Sequence, residues 1–204
     1  MPDKFIRQAE TWNLIDELTA QVLGQALHWL SQTQSGSPVS ISVNISARSL
    51  VDFKLAELAT DLCRHLTIEP RRLIFELTET SATMDPGTAL DLLTRLRVMG
   101  FEVSLDDFGT GYSSMVQLVR LPFSEIKVDK SFILAASTSQ EARTVTKAVV
   151  DLGHSLGLLV TAEGVEDART LEFLNRIGCD RAQGYFIGRP MTGDMVANWI
   201  ARRG

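Results

Sequence analysis

The sequence has few of the features that mark specialised protein classes. Its two cysteines, Cys63 and Cys179, lie far apart, so no Cys-x-x-Cys motif is present and we expect two reduced thiols rather than a disulfide. No apolar run reaches the roughly 18 residues that a membrane span needs, and the start has no signal-peptide pattern. We therefore expect a cytoplasmic domain without a membrane segment in this chain.

Positive charge is also scarce, with 20 Lys and Arg against 25 Asp and Glu and a net charge of −5. A chain of this charge is not expected to bind a nucleic-acid polymer through a broad basic surface. An anionic ligand would need metal ions or a few local cations to neutralise it. The 204 residues, 45% hydrophobic and 22% charged, indicate a globular protein with a substantial core.

Short apolar strands alternate with amphipathic helices along the chain. Strands are predicted at residues 41–46, 73–78, 103–107, 126–129, 158–163 and 182–187. Their spacing is typical of β/α units, which predicts a parallel sheet, either doubly wound or closed as a barrel. The first strand is not followed by a Gly-x-Gly-x-x-Gly motif, which weakens the dinucleotide-binding alternative. No linker or low-complexity segment is evident, so residues 1–204 are interpreted as one domain.

The helices are predicted from apolar periodicity and capping residues. One long helix is expected over residues 5–31, and further helices over 170–177 and 196–201. Three others have predicted starts near Ser49 (with Asp52 as capping partner), at Asp85-Pro86, and at Thr138 with Glu141. Their predicted buried residues are Leu55, Leu58 and Leu62; Leu90, Leu93 and Leu96; and Val145, Val149, Leu152 and Leu156.

Polar residues recur in or near the carboxyl-terminal halves of the strands. They are Asn44, Glu76, Asp106, Asp107, Lys127, Asp129, Glu163 and Gln183. Residues two apart on a strand share a face, so Lys127 and Asp129 are expected to point together. In a β/α barrel this end of the strands carries the active site. Because so many carboxylates would repel one another there, we expect divalent cations among them.

The candidate ligands are all oxygen donors, which favours Mg²⁺ or Mn²⁺ over Zn²⁺ or Cu²⁺. Adjacent aspartates, Asp106 and Asp107, allow one carboxylate to bridge two ions while its neighbour holds the second. Two metals roughly 3.5–4 Å apart serve displacement at phosphorus. The residues therefore predict metal-assisted hydrolysis of a phosphoester.

Each of these residues also has a purely structural interpretation. Asn44 could satisfy a neighbouring backbone group, and the two aspartates could cap a helix. Lys127 could be an edge lysine or form an ordinary ion pair with Asp129. Glu163 could stand near a helix N-terminus. Glu76 is harder to explain this way, because it interrupts an apolar strand.

Six ordered motifs make the sequence resemble the EAL-domain family. They are VNIS at 43–46, ELTE at 76–79, DDFGTGYSS at 106–114, IKVD at 126–129, AEGVE at 162–166 and QGY at 183–185. The helix motif FIRQAE at 5–10, LPF at 121–123 and Pro190 also match the family pattern. The resemblance spans nearly the whole chain in the expected order.

The resemblance implies a modified TIM-type (β/α) barrel that hydrolyses cyclic di-GMP to linear pGpG. It implies that two Mg²⁺ or Mn²⁺ ions bind, that Ca²⁺ inhibits, and that Glu163 and Lys127 are catalytic. By the same resemblance Asn44, Glu76, Asp106 and Asp107 hold the metals, Asp129 and Gln183 complete the polar shell, and Glu79 braces the loop 108–114.

The family also has an upstream strand with Glu-Ala-Leu, whose glutamate binds the first metal. That motif does not occur in these 204 residues. An N-terminally truncated barrel with about six of eight strands is therefore expected, with impaired activity and marginal stability. The exposed strand edge at Ser42–Ile45 is expected to associate with a second copy or with a partner domain. A well-behaved monomer in gel filtration with a high melting temperature would contradict this expectation.

Two other functions compete with the phosphodiesterase. A non-catalytic cyclic-di-GMP receptor or protein-interaction module would retain the fold, but loss of Asp107, Lys127 or Glu163 would be expected in it. A sugar-metabolising β/α-barrel enzyme would make the ordered motifs a coincidence. The motifs therefore favour the phosphodiesterase.

Overall fold

The computed structural model describes residues 2–33, 39–46, 54–84, 86–110 and 115–202. Its strands are β1 (Ile41–Asn44), β2 (Leu73–Thr78), β3 (Glu102–Phe108), β4 (Glu125–Val128), β5 (Leu159–Ala162) and β6 (Arg181–Ala182). Its α-helices are α1 (Pro2–Thr11), α2 (Ile15–Ser31), α3 (Lys54–His65), α4 (Glu79–Met84), α5 (Pro86–Val98), α6 (Met115–Arg120), α7 (Lys130–Ala136), α8 (Gln140–Ser155), α9 (Ala168–Arg176) and α10 (Gly193–Ala201).

The chain forms two compact units. The first comprises Met1–Ser104 and Ser113–Phe123, and the second comprises Leu105–Tyr112 and Ser124–Gly204. The strand order follows the chain, β1-β2-β3-β4-β5-β6, and the pairings β1–β2, β4–β5 and β5–β6 are parallel. Parallel neighbours joined by helices are what the alternating sequence pattern predicted.

In the first unit, β2 is the buried strand. All of its residues except Thr78 are buried, and Phe75 meets Phe101 edge to face with ring centroids 5.4 Å apart. Strand β1 runs alongside it in a register that places Asn44 beside Glu76. A glutamate at 7% exposure within this apolar strand is costly to bury, so Glu76 stands out as a candidate functional residue.

In the second unit, helix α8 packs closely on strands β4 and β5. A Cβ at Gly153 would lie only 2.5 Å from Val160 Cγ2 and 3.1 Å from Ile126 Cδ1, so glycine permits the close approach. Ile126 and Val160 therefore face the helix. Because strand side chains alternate, Lys127 and Thr161 face the opposite side of the sheet.

The buried faces of two helices differ from the prediction by one residue. Helix α3 buries Ala56, Ala59 and Cys63 instead of Leu55, Leu58 and Leu62, and α8 buries Thr146, Val150 and Gly153 instead of Val145, Val149, Leu152 and Leu156. Small residues at the contact let these helices approach their neighbours, while the larger side chains flank it. In α5, Leu93 and Leu96 are buried as predicted, but Leu90 is 42% exposed.

Two predicted helix boundaries are also corrected. The predicted helix 5–31 is two helices, because the chain turns at Asn13 with a left-handed φ of 56°. The cap of α8 is Ser139 rather than Thr138, and its Oγ accepts a hydrogen bond from the Ala142 N–H at 3.1 Å. The predicted start at Ser49 and Asp52 lies outside the described residues.

Strand β6 is much shorter than the predicted strand 182–187. After Ala182 the chain turns back toward the segment that follows β5: the Val165 N–H donates to the Gln183 carbonyl at 3.0 Å, and the Phe186 N–H donates to the Val165 carbonyl at 3.0 Å. A Cβ at Gly184 would lie 2.2 Å from the Val165 carbonyl oxygen. The turn therefore requires glycine at this position.

Both cysteines are free thiols, Cys63 fully buried and Cys179 partly so. Burial raises the pKa of each thiol to about 11. Among the helices in the described part of the chain, none combines the length and the apolar character needed to cross a membrane.

Replacing Gly184 with alanine is expected to destabilise the protein by about 3 kcal/mol, because the added methyl group overlaps backbone atoms that cannot move independently. The matched control is Gly24→Ala in α2, where nothing lies within 4 Å of the added Cβ and a gain of roughly 0.5–1 kcal/mol is expected. Denaturant unfolding of both variants measures the difference. Equal stability of the two variants would contradict the close approach at Gly184.

The two thiols are expected to react slowly with a disulfide reagent at pH 8 in the native protein. A pKa of about 11 leaves on the order of one thiol in a thousand ionised at that pH, and only the thiolate reacts. Reaction with a chromogenic disulfide reagent should therefore be slow until denaturant is added. Rapid native reaction of both cysteines would contradict their environment.

Candidate active site

Four charged side chains of the second unit meet at the carboxyl ends of β3, β4 and β5. The Lys127 Nζ lies 3.1 Å from Asp106 Oδ1 and 2.6 Å from Glu163 Oε1. One carboxylate oxygen each of Asp106, Asp107 and Glu163 lies within 4.8 Å of the other two. We call Asp106, Asp107, Lys127 and Glu163 the rim cluster. Its lysine side chain is only 6% exposed, so the ion pairs are shielded from water.

The strands themselves place these residues together. The two aspartates lie near the end of β3, and Glu163 directly follows β5. The Glu163 N–H donates to the Val128 carbonyl at 3.1 Å, which holds the glutamate beside the end of β4. The sequence prediction that these acids gather at one end of the strands is confirmed for Asp106, Asp107 and Glu163.

Asp107 has an unusual backbone and a perturbed carboxyl group. Its φ is 57°, and its N–H donates to Asp106 Oδ1 at 3.0 Å, so the two carboxylates are held side by side. Burial raises the pKa of Asp107, and the negative charges of Asp106 and Asp129 raise it further, while Lys127 and Lys130 act against them. Burial, together with the neighbouring carboxylates, therefore disfavours the charged form of Asp107.

The residue after Glu163 allows the chain to turn beside helix α7. Gly164 has a φ of +76°, and a Cβ there would lie 2.5 Å from the Lys130 Cβ. Glycine therefore lets the end of β5 approach the first turn of α7. This close approach fixes where the Glu163 backbone can lie relative to Lys127.

The prediction that Asp129 lies on the same strand as Lys127 is wrong, because the strand ends at Val128. Asp129 follows β4 and caps helix α7, where its Oδ1 accepts hydrogen bonds from the Ser131 N–H at 2.9 Å and from the Ser131 hydroxyl. Burial acts to raise the pKa of Asp129, but these hydrogen bonds and the charge of Lys130 hold it below its usual range. The ion pairs of Lys127 are instead with Asp106 and Glu163.

The sequence interpretation missed Lys130 and the helix that it begins. Its charge lowers the pKa of Asp107, and its stem packs on Gly164. Helix α7 has only seven residues directly after a strand, too few to show a clear apolar period. The Asp-x-Ser sequence at 129–131 is a capping pattern that could have located it.

The remaining predicted site residues are divided between the two units. In the first unit Asn44 is exposed beside Glu76, and Glu79, 3% exposed, begins helix α4. In the second unit the exposed Gln183 donates its N–H to the Ala162 carbonyl at 2.8 Å, next to Glu163. Part of the loop that Glu79 was predicted to brace, residues 111–114, lies outside the described residues.

The donor set of the rim cluster fits a divalent cation. Three carboxylates offer oxygens within 4.8 Å of one another, with no histidine or cysteine among them. Oxygen donors alone favour hard ions such as Mg²⁺ and Mn²⁺. These features define a parallel α/β domain whose strand ends carry a carboxylate-rich site of the kind that holds such ions.

The chain belongs to the EAL domain family, whose family model matches residues 1–190. It is 37% identical over 202 residues to the bifunctional diguanylate cyclase/cyclic di-GMP phosphodiesterase MucR of Pseudomonas aeruginosa, and 37% identical over 191 residues to the cyclic di-GMP phosphodiesterase RocR of the same organism. These alignments cover 98% and 93% of the chain, but only 30% and 49% of the two relatives. The family recognised from the sequence motifs is thereby confirmed.

A solved structure of the MucR phosphodiesterase in complex with c-di-GMP has the same fold. Its TM-score is 0.89 at 37% identity, with 96% of this chain and 80% of the other covered. The structure of the EAL enzyme Bd1971 with cAMP and cyclic-di-GMP bound has a TM-score of 0.92 at 27% identity, over 98% of this chain and 55% of the other. The predicted fold class, a TIM-type (β/α) barrel with part of its strands, is confirmed by these neighbours.

Replacing Lys127 with methionine is expected to destabilise the metal-free protein by about 3 kcal/mol, because two partly buried carboxylates lose their shared cation. The control is Lys147→Met, which removes an exposed pair with Asp151 and should cost less than about 1 kcal/mol. Thermal and denaturant unfolding in the presence of a chelator measure both. If the two variants lose equal stability, the ion pairs of Lys127 are not shielded from water.

Proposed function

We propose that this chain is a phosphodiesterase unit that hydrolyses cyclic di-GMP to linear pGpG with two divalent ions. The observation that carries the proposal is the rim cluster, in which Lys127 contacts both Asp106 and Glu163 at the ends of parallel strands. Family membership supports the substrate, because MucR and RocR are named as cyclic di-GMP phosphodiesterases. We treat residues 1–204 as one EAL domain.

Asp106 and Asp107 are proposed as the residues of the second unit that would hold the divalent ions. Asn44 and Glu76 are proposed as metal ligands within the first unit, since they are register neighbours at the end of β1 and within β2. When bound, Mg²⁺ or Mn²⁺ would neutralise the phosphate charge and lower the pKa of a coordinated water, whereas Ca²⁺ would bind without supporting turnover.

Lys127 and Glu163 are proposed to prepare the attacking water. A water that accepts a hydrogen bond from the Lys127 ammonium and donates one to Glu163 would be held beside both side chains, which are 2.6 Å apart. Glu163 would take the water proton as the water oxygen attacks phosphorus. The ester bond would then break, and the released ribose oxygen would take a proton from solvent to become a hydroxyl. Asp129 would keep α7 in place beneath this pair, and Gln183 would line the adjoining loop. The bracing role of Glu79 stays a prediction from the family resemblance.

A non-catalytic receptor for cyclic di-GMP is the second candidate. It is distinguished by binding without turnover, since a receptor has no need of a lysine held between two carboxylates. Association with a second copy or a partner domain is compatible with either function.

Asp106→Asn is expected to lower turnover of cyclic di-GMP by roughly a thousandfold or more, because it removes a charge that pairs with Lys127 and would hold a divalent ion. The matched control is Asp151→Asn, an exposed aspartate paired only with Lys147 among the described ion pairs, and it should leave turnover unchanged. Conversion to pGpG in Mg²⁺ or Mn²⁺ is followed by chromatography.

Measuring binding and turnover on the same protein separates the two candidate functions. Binding of cyclic di-GMP in Ca²⁺, measured by calorimetry, combined with turnover in Mn²⁺ supports the phosphodiesterase. Binding with no turnover in either Mg²⁺ or Mn²⁺ would refute it in favour of the receptor. Turnover that survives Asp106→Asn would refute the assigned metal site.

A further inference from the structure

A second charged layer lies beneath the rim cluster in the second unit. Glu125, the first residue of β4, is two residues before Lys127 and shares its side of the strand. Thr161 of β5 lies beside Lys127 in the strand register, and Arg181 of β6 lies beside Thr161. We call Glu125, Thr161 and Arg181 the lower layer.

Within the lower layer, Arg181 and Thr161 contact the buried carboxylate of Glu125. Glu125 is 4% exposed, and its Oε1 accepts hydrogen bonds from the Thr161 hydroxyl and from Arg181 Nη1, the latter at 3.2 Å. The Arg181 side chain is 45% exposed, so it reaches this carboxylate from the surface. Arg181 is therefore the cation that pairs with Glu125, whereas Lys127 pairs with Asp106 and Glu163.

Lys127 consequently stands between the rim carboxylates and the single buried carboxylate of Glu125. Residues two apart on a strand are separated by roughly 6.5–7 Å, which is within reach of a flexible four-carbon lysine stem. If Glu125 had no cation of its own, its buried charge would compete for Lys127 on the side away from the rim. The pairing with Arg181 removes that competition.

We propose that Arg181 is a positioning residue for Lys127. Because Arg181 neutralises Glu125, the ammonium of Lys127 stays paired with Asp106 and Glu163, where the proposed hydrolysis needs it. The kinetic part of this inference rests on that proposed function. Arg181 acts through Glu125 and has no contact with substrate in this role. Thr161 assists it by donating to the same carboxylate oxygen.

The direct test is the crystal structure of the Arg181→Met variant, which keeps an apolar stem and removes the charge. We expect the Lys127 Nζ to move from Glu163 to within 4 Å of Glu125, the distance limit for an ion pair. If Lys127 stays on Asp106 and Glu163, the proposal is wrong, whether or not the protein hydrolyses cyclic di-GMP. The failure of this inference is thus separable from a failure of the proposed function.

The kinetic test uses the same variant and a rescue. Arg181→Met should lower kcat by roughly 10-fold to 100-fold with little change in KM, because the lysine is displaced from the reacting water. The double variant Glu125→Gln with Arg181→Met should recover kcat to within about threefold, since no competing charge remains. A double variant as slow as Arg181→Met alone would overturn the proposal.

Two further variants control for general damage. Arg176→Met removes an exposed arginine of α9 that pairs with Glu172, and it should leave both kcat and KM unchanged. If Arg181→Met does not fold, Arg181→Gln replaces it in the structural test, because glutamine is polar but also removes the charge that pairs with Glu125. Lys127 displaced toward Glu125 in this variant supports the proposal, and Lys127 unchanged on the rim overturns it.

Discussion

The buried ammonium of Lys127 is the interaction on which the candidate site depends. It lies 2.6 Å from Glu163 and 3.1 Å from Asp106, so it joins the ends of β3, β4 and β5 through charge as well as through the backbone. Without a cation at this point, the partly buried carboxylates would repel one another. The same cation is the one that we propose to orient the attacking water.

Two glycines, Gly164 after β5 and Gly153 in α8, allow close packing around the strands that carry this charge arrangement. Gly164 lets β5 end against the first turn of α7, and Gly153 lets α8 approach the far side of β4 and β5. Each contact leaves no room for a Cβ. Close packing of β4 and β5 on α8, and of the end of β5 on α7, therefore accompanies the ion pairs of Lys127.

Much of the site could be predicted from sequence because acids in apolar strands have few structural explanations. The bounds of β2 were predicted correctly, and Asp106, Asp107 and Glu163 come together as expected. The partner of Lys127 was not predictable, because alternation places Asp129 on the same strand face only if the strand continues. The backbone instead enters α7 at that point, with Asp129 as its cap. The helix faces of α3 and α8 were misassigned because leucine and valine dominate hydrophobic periodicity, whereas alanine, threonine and glycine form the contacts.

The contact between Gly184 and Val165 has a consequence for motion around the site. Backbone hydrogen bonds run in both directions between the segment after β5 and the turn after β6, and the glycine leaves no gap between them. We therefore expect these two segments to move together rather than as separate loops. A ligand that binds against these two segments contacts backbone that is already held by hydrogen bonds. Little conformational entropy is then lost in these segments when the ligand binds.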